Sequence, residues 1–194
     1  MIRLHCTHKL FAKLPVDANG RLPNTRARPL AANDTGDSPL SGWHANLITL
    51  NRRNCVLFVH NATRFPVLLT CLTKPDFAEL DYFFQDGLMN ALLKGGASQA
   101  QLDTAASALT PLQCDTTCDR SVQGTLNRMK LDVEHMLWHD GASITDLSAY
   151  RTSVWLADRP CNMKGNKDFV WPLKAMLVLL DQKRFTPPLP APDL

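Results

Sequence analysis

The sequence lacks the features that mark membrane, secreted and nucleotide-cofactor proteins. No apolar run in its 194 residues approaches the roughly eighteen residues that a membrane-spanning helix needs. The first ten residues lack the continuous apolar region of a signal peptide. No phosphate-binding or dinucleotide-binding glycine motif is present. We therefore expect a cytoplasmic protein with no membrane partner and no cofactor.

Charge and cysteine content exclude little more. The formal net charge is only +3, which permits a local anionic partner without predicting one. Six cysteines in a chain without an export signal indicate reduced thiols rather than a disulfide framework. Hydrophobic residues make up 45% of the chain, which is enough for the core of one domain.

Short apolar segments bounded by turn residues predict strands in the first part of the chain. They cover residues 2–7, 45–50, 55–60 and 65–72. The segment NRRN separates the second strand from the third and predicts a β-hairpin with a four-residue connection. The three later strands would form an antiparallel meander, with the N-terminal strand alongside.

Longer segments with apolar residues three and four apart predict helices at residues 76–93, 98–109, 119–138 and 171–182. The third of these is the longest. Asp119 or Ser121 can cap its start, and Gly141 lies where a left-handed residue often ends a helix. Residues 112–117 are expected to form a link or an edge strand, and residues 152–157 to be extended.

These elements predict an α+β fold, in which an antiparallel sheet of about four strands packs against three to four helices. We divide the chain into a core domain at residues 1–140 and a C-terminal extension at residues 141–194. A long loop at residues 15–42 interrupts the core. The extension would carry a terminal helix and a proline-rich tail.

The start of the long helix is dense in polar residues. Arg120, Gln123 and Asn127 lie three and four apart on a stripe beside the apolar face. Gly124 lies in the same turns and costs the helix about 1 kcal/mol relative to alanine, which a closely approaching backbone or ligand would explain. A helix start favours anions, and an arginine there adds a forked donor. The alternative is that Arg120 pairs with a neighbouring carboxylate and Gln123 is simply solvated.

Three segments resemble a bacterial family catalogued only as a domain of unknown function. They are IRLHCTHKL, SGWHANLITLNRRNCVLFVHNATRFPVLL and CDRSVQGTLNRM. The resemblance covers roughly residues 1 to 138. The chain departs from the family pattern at His44, where tyrosine is common, and at Asp119 and Gln123, where asparagine and leucine are common. The resemblance implies a fold and an origin in bacterial genomes or mobile elements, but no activity.

The segments that carry the resemblance also contain a candidate polar binding site. Arginine can bind phosphate and tryptophan can stack on a base, which suits nucleic acid, although a protein partner fits as well. Each residue could instead have a purely structural role, such as packing in the core or forming an exposed turn. The candidate residues are Trp43, His44, Asn46, Arg52, Arg53, Arg64, Arg120, Ser121, Gln123 and Asn127.

Metal binding has a weaker basis. Cys114 and Cys118 are followed by His135 and His139 at a spacing that loosely resembles a zinc site. A helix rises about 1.5 Å per residue, so the histidines would lie roughly 20 Å from the helix start near Cys118. Free thiols and surface histidines are the simpler interpretation, and we predict no metal.

Catalysis would require an acid–base pair. His44 and His60 lie at the ends of the two hairpin strands and are the weak candidates for metal-independent cleavage of RNA. The leading hypothesis is a binding or regulatory module with nucleic acid or a protein as partner. The alternatives are a small RNase-like hydrolase that uses these two histidines, and a purely structural interaction protein.

Overall fold

A computed structural model describes residues 1–23, 25, 38–162 and 169–182. Most of the predicted loop at residues 15–42 and the whole proline-rich tail lie outside the described residues. Within those residues, no helix is both long and apolar enough to cross a lipid bilayer.

One five-stranded sheet forms the centre of the fold, with strand order β4-β3-β2-β1-β5. The strands are β1 (Ile2–Cys6), β2 (Trp43–Leu50), β3 (Arg53–His60), β4 (Pro66–Leu72) and β5 (Leu112–Asp115). The predicted α+β class is confirmed, and the antiparallel pairing of β2, β3 and β4 is as expected.

The sheet is mixed rather than wholly antiparallel. Strand β1 runs parallel to both β2 and β5. Strand β5, in the segment predicted to be either a link or an edge strand, is the fifth member. The long connection between β1 and β2 allows the chain to cross back before β2 begins, and parallel pairing requires such a crossover. The alternation of apolar residues within one strand carries no information about this direction.

The hairpin between β2 and β3 is tighter than predicted. Leu50 pairs with Arg53, so only two residues form the turn instead of four. Asn51 and Arg52 both have positive φ angles, 44° and 63°, as a type I′ turn requires. This turn matches the right-handed twist of the strands, which explains why the ladder continues to the end.

Helices cover both faces of the sheet. The described helices are α1 (His8–Phe11), α2 (Leu80–Lys94), α3 (Gln99–Ala108), α4 (Arg120–Asp140), α5 (Ala149–Ala157) and α6 (Pro172–Gln182). Apolar residues of α4 pack on one face of the sheet, whereas those of α1, α2, α3 and α6 belong to the core on the other face. Trp43 belongs to the core on the face of the sheet opposite α4, whereas its neighbour His44 faces α4.

The extended conformation predicted for residues 152–157 is wrong, because these residues lie in helix α5. Their β-branched and aromatic side chains favour a strand locally. Ser148 overrides this preference by accepting the Arg151 N–H as the N-cap. Leu156 and Ala157 then reach the two cores.

Helix α5 lies beyond residue 140 and nevertheless packs directly on the sheet. Ser153 is fully buried, and its hydroxyl accepts the Leu68 N–H at 2.9 Å and donates to the Ala149 carbonyl at 2.8 Å. The hydroxyl therefore satisfies a backbone donor on the β4 edge of the sheet.

Replacing Ser153 with alanine should destabilise the fold by about 1–3 kcal/mol, because the Leu68 N–H would remain buried without an acceptor. Urea unfolding monitored by circular dichroism measures the loss. Ser107→Ala is the control, since that exposed hydroxyl bonds only to a carbonyl of its own helix. Equal stability of Ser153→Ala and the natural protein would contradict this role.

Candidate functional site

The start of α4 is fixed to the sheet through Asp119. Its carboxylate accepts the Ser121 N–H at 2.7 Å and the Val122 N–H at 3.4 Å, which confirms Asp119 as the N-cap. Its own N–H donates to Nε2 of His44 on β2 at 2.8 Å. At the other end, Gly141 has the left-handed conformation predicted for it, with φ 60°.

His44 is held in one neutral tautomer. Because Nε2 accepts the Asp119 N–H, the ring proton is on Nδ1, which donates to Oδ1 of Asn61 at 2.7 Å. Burial lowers the pKa of His44, although the bond to Asn61 opposes this effect. Both ring nitrogens are therefore occupied, and His44 positions α4 rather than offering a free acid or base.

Arg64 is a buried cation behind the first turn of α4. Its side chain is only 3% exposed, and it donates to the Asn61 carbonyl at 2.8 Å and to Oγ of Ser121 at 3.1 Å. Its Nε–H is buried without a partner among the described residues. Burial lowers the pKa of Arg64, whereas the charge of Asp119 favours its protonated form.

A groove of about 610 Å³ lies between α4 and the end of α5, and we call it the α4–α5 groove. Asp132 supplies its one carboxylate, which lies 3.5 Å from Nε of Arg128 and 3.4 Å from an Arg159 guanidinium nitrogen. Arg120 also lines the groove and has no side-chain partner within the described part of the chain. The floor includes Ser121, the residue that Arg64 contacts.

A second groove of about 620 Å³ adjoins the first, because Arg159 lines both. Lys94, Arg151 and Trp155 line it together with Asp158. Trp155 is 37% exposed, and the Arg159 guanidinium lies 4.4 Å from the centre of its ring. We call the two grooves together the basic face, which carries five cationic side chains and two carboxylates.

Gly124 lies in the wall of the α4–α5 groove. A Cβ atom at this position would have no atom within 4 Å apart from the backbone of its own helical turns. No backbone of the described residues packs against this glycine, so its absence of a side chain leaves the groove open.

Residues 3–175 match the family model DUF6933, a domain of unknown function. The chain belongs to this family. The match confirms the resemblance inferred from the sequence and extends it beyond residue 138. It assigns no activity to any member of DUF6933.

Other comparisons add little to the DUF6933 assignment. No curated protein matches the chain. One chain of the simian T-cell lymphotropic virus intasome in complex with PP2A regulatory subunit B56 gamma is similar to it at 14% identity. The similarity covers 90% of this chain and 66% of that chain, with a TM-score of 0.38, so this chain spans less than two thirds of it. A TM-score this low establishes no shared fold.

The polar site predicted for this DUF6933 chain is divided in the structure. Arg120 and Ser121 line the α4–α5 groove, whereas Gln123 faces a separate cavity on the other side of α4. Asn127 is exposed on α4 between the two. Positions 120 and 123 point in directions about 60° apart around the helix axis, so one polar stripe can border a different groove on each of its two sides.

The hairpin residues of the predicted site lie elsewhere. Trp43 is fully buried in the core, and Asn46 accepts a hydrogen bond from the Thr7 hydroxyl at 3.0 Å. Arg52 and Arg53 lie at the turn beside the C-terminal end of α4, whose length is roughly 30 Å. They are therefore distant from Arg120.

His60 does not join His44. Trp43 pairs with His60 and His44 pairs with Val59, so the two histidine side chains point to opposite faces of the sheet. Nε2 of His60 lies 3.3 Å from the Ser41 carbonyl, and Nδ1 lies 2.9 Å from the Thr63 hydroxyl. His60 is thus a buried structural residue of the β3–β4 connection.

The four residues considered as metal ligands lie apart from one another in the structure. Cys114 is buried beside Cys6, whereas Cys118 is exposed before α4. His135 and His139 stack with ring centres 6.2 Å apart near the far end of α4. In the described ranges, no group of three or more His, Cys, Asp or Glu side chains is placed to hold a metal ion.

The basic face contains residues that sequence reasoning missed: Lys94, Arg128, Asp132, Arg151, Trp155, Asp158 and Arg159. Four of these lie in α5 or just after it, and Trp155 falls within residues 152–157, which were predicted to be extended. Arg120, Gly124 and Arg128 recur every four residues along α4, and this spacing was the one available signal.

Stability should fall as the pH falls from about 6.5 to about 4 because of His60. Burial lowers the pKa of His60 to about 4, so the unfolded state takes up this proton first. The contribution is complete above pH 6.5 and amounts to about 3 kcal/mol, all of which is lost near pH 4. His44 contributes in the same direction, since its pKa is also lowered.

Urea unfolding at pH 7.5, 5.5 and 4 measures this dependence. In His60→Gln the free energy of unfolding should change less with pH than in the natural protein. In His139→Gln, which changes an exposed histidine, the pH dependence should be the same as in the natural protein. An unchanged pH dependence in His60→Gln would contradict the assignment.

Replacing Gly124 with alanine should stabilise the protein by about 1 kcal/mol, because the helix gains propensity and the new Cβ meets open space. Gly87→Ala in α2 is the matched control. Its Cβ would lie 2.9 Å from side-chain atoms of Leu69 and Val67, so the same change should give a smaller gain or a loss. Thermal unfolding compares the two variants. No gain at Gly124 would contradict an open groove.

Proposed function

We propose that this DUF6933 chain is a nucleic-acid-binding module that holds a single strand along the basic face. The observation that carries the proposal is the arrangement of five cationic side chains and two carboxylates along two adjoining grooves. The proposal agrees with the cytoplasmic location expected from the sequence. Of the two partners that the sequence left open, nucleic acid and protein, the proposal selects nucleic acid.

Electrostatics supports an anionic ligand in the α4–α5 groove. Arg120 is unpaired among the described residues, and its guanidinium offers a planar fork that suits phosphate. The positive end of the α4 dipole and the buried charge of Arg64 add to the potential at the same end of the helix. Two carboxylates reduce this potential without leaving a free anion in the groove, because Asp132 already contacts two arginines and Asp119 accepts the N–H groups of the first helical turn.

Trp155 supports a single strand over a duplex. Aromatic rings bind unpaired bases by stacking, and each stacked base contributes about 1–3 kcal/mol. The ring is partly exposed in the second groove, which Arg151 and Arg159 also line, and the Arg159 guanidinium lies over the ring. Cations that flank an exposed aromatic ring allow phosphates and a base of one strand to be bound together.

The RNase-like alternative has less support. It requires His44 and His60 to act as a pair, and these residues lie on opposite faces of the sheet with their ring nitrogens engaged. A protein partner for the basic face would have to be acidic, and the partly exposed Trp155 ring in this groove favours a base over a carboxylate.

Arg120→Ala should weaken binding of a fluorescein-labelled 20-nucleotide poly(U) or poly(dT) by about tenfold, since one charge-assisted contact is lost. The slope of log K against log salt should decrease by about 0.7 for one lost phosphate contact on a single strand. Arg52→Ala is the matched control, because it removes the same charge at the distant hairpin turn. Fluorescence anisotropy between 50 and 300 mM salt measures both quantities.

A second comparison separates stacking from charge. Trp155→Ala should weaken binding without changing the salt slope, because stacking releases no counterions. The proposal fails if the natural protein binds neither polymer at 50 mM salt. It also fails if Arg52→Ala weakens binding as much as Arg120→Ala. Binding of an acidic peptide in place of both polymers would identify a protein partner instead.

A further inference from the structure

A third cavity, of about 280 Å³, lies on the other side of α4, where strands β1 and β5 end. We call it the strand-end cavity. Its lining includes three histidines, two cysteines, three threonines, one glutamine and two apolar residues, namely His5, His8, His44, Cys6, Cys118, Thr7, Thr116, Thr117, Gln123, Ala45 and Leu126. The proposed nucleic-acid site makes no use of these groups.

His5 forms a polarised pair with Asp115. The two residues are register partners on adjacent parallel strands, and Nδ1 of His5 lies 2.7 Å from the Asp115 carboxylate. Burial tends to raise the pKa of Asp115, but hydrogen bonds from His5 and the Thr117 N–H outweigh it, so the pKa lies below its usual value. An ionised carboxylate must accept, so Nδ1 of His5 carries a proton, and the neutral form of the ring has its lone pair on Nε2.

Nε2 of His5 is available for chemistry. No hydrogen bond within the described residues engages it, whereas both nitrogens of the neighbouring His44 are occupied. The centroids of the His5 and His44 rings lie 4.9 Å apart, so the two side chains pack against each other. A base that a carboxylate orients and that keeps one free nitrogen is the arrangement that nucleophilic catalysis uses.

Cys118 supplies a nucleophile in the same cavity. All six cysteines lie in the described part of the chain, and Cys118 is the exposed one. Its thiol donates to Oε1 of Gln123 at 3.0 Å, which holds the sulfur at the start of α4. The imidazole comes from β1, and the carboxylate and the thiol come from the end of β5 and the link that follows it, so two segments bring the three groups to one end of the sheet.

We propose that Cys118, His5 and Asp115 form a thiol-dependent acyl-transfer site for small, uncharged acyl esters or thioesters. The substrate class follows from the cavity, which no lysine, arginine, aspartate or glutamate lines. Its volume admits a short acyl chain beside Leu126 and Ala45. Asp115 is a positioning residue in this scheme, whereas Cys118 and His5 contact the reacting atoms.

In the first step, Nε2 of His5 takes the thiol proton as the Cys118 sulfur attacks the acyl carbonyl carbon. A carbon–sulfur bond forms, the bond to the leaving group breaks, and His5 passes the proton to the leaving alcohol or thiol. In the second step, His5 takes a proton from water, which attacks the thioester carbonyl. The carbon–sulfur bond breaks, the carboxylic acid leaves, and the proton returns to the Cys118 sulfur.

Gln123 can stabilise the tetrahedral intermediate of both steps. Its amide oxygen accepts from the thiol, and its amide N–H groups have no partner among the described residues. An amide donor beside the nucleophile is suited to the oxyanion that forms on the carbonyl oxygen.

The test uses the natural protein with p-nitrophenyl acetate at pH 7. We expect a burst of one equivalent of p-nitrophenolate, an acetyl adduct on Cys118 by peptide mass spectrometry, and continued turnover. Cys118→Ser should abolish the adduct and the burst. Cys71→Ala is the matched control, since it removes a half-buried thiol outside the cavity and should leave the burst unchanged.

His5→Gln and Asp115→Asn should slow acetylation of Cys118 by about 100-fold at pH 7. Near pH 10 hydroxide can replace His5 as the base that takes the thiol proton, so both variants should approach the rate of the natural protein there. A loss that persists at pH 10 would indicate structural damage and overturn the assigned roles. Acetylation of Cys118 in His5→Gln at the natural rate, or the absence of turnover in the natural protein, would overturn the proposal itself.

Discussion

The hydrogen bond from the Asp119 N–H to Nε2 of His44 fixes where α4 begins on the sheet. The first N–H groups of a helix have no partner within it, so they need acceptors from outside. Asp119 supplies one acceptor from its own side chain, and His44 binds the preceding N–H from strand β2. The bond from His44 to Asn61 then fixes the ring, so the β3–β4 connection also determines where the helix starts.

Helix α4 separates two sites of different chemistry. One side carries Arg120 and Arg128 toward the α4–α5 groove, and the other carries Gln123 and Leu126 toward the strand-end cavity. The first site is cationic and open, which suits a polyanion. The second is small and is lined by no lysine, arginine, aspartate or glutamate, which suits an uncharged substrate. A single amphipathic helix can serve both because its apolar stripe occupies only the side toward the sheet.

Local signals predicted the elements, and long-range packing determined the sites. Helix α4 and its end residues, Asp119 and Gly141, followed from spacing and from the chemistry of helix ends. The position of Arg159 beside Asp132, and of His5 beside Asp115, depends on residues 27 and 110 positions apart. No periodicity encodes such neighbours. Trp43 and His60 were candidates because of their residue type. Side chains alternate between the two faces of a sheet along each strand, and this alternation places both residues on the face that α2 covers.

The tight turn at Asn51 and Arg52 has a consequence for the far end of the helix. The side-chain oxygen of Asn51 accepts the Ile144 N–H at 3.0 Å, just after α4 ends. Strand β2 therefore holds one end of the helix through His44, and the turn that follows this strand holds the other. The hairpin therefore contacts α4 at both ends, and the distance between these two contacts matches the length of the helix. Adding or deleting a helical turn in α4 would break one of the two contacts. We therefore expect insertions within this family to fall outside both α4 and the β2–β3 hairpin.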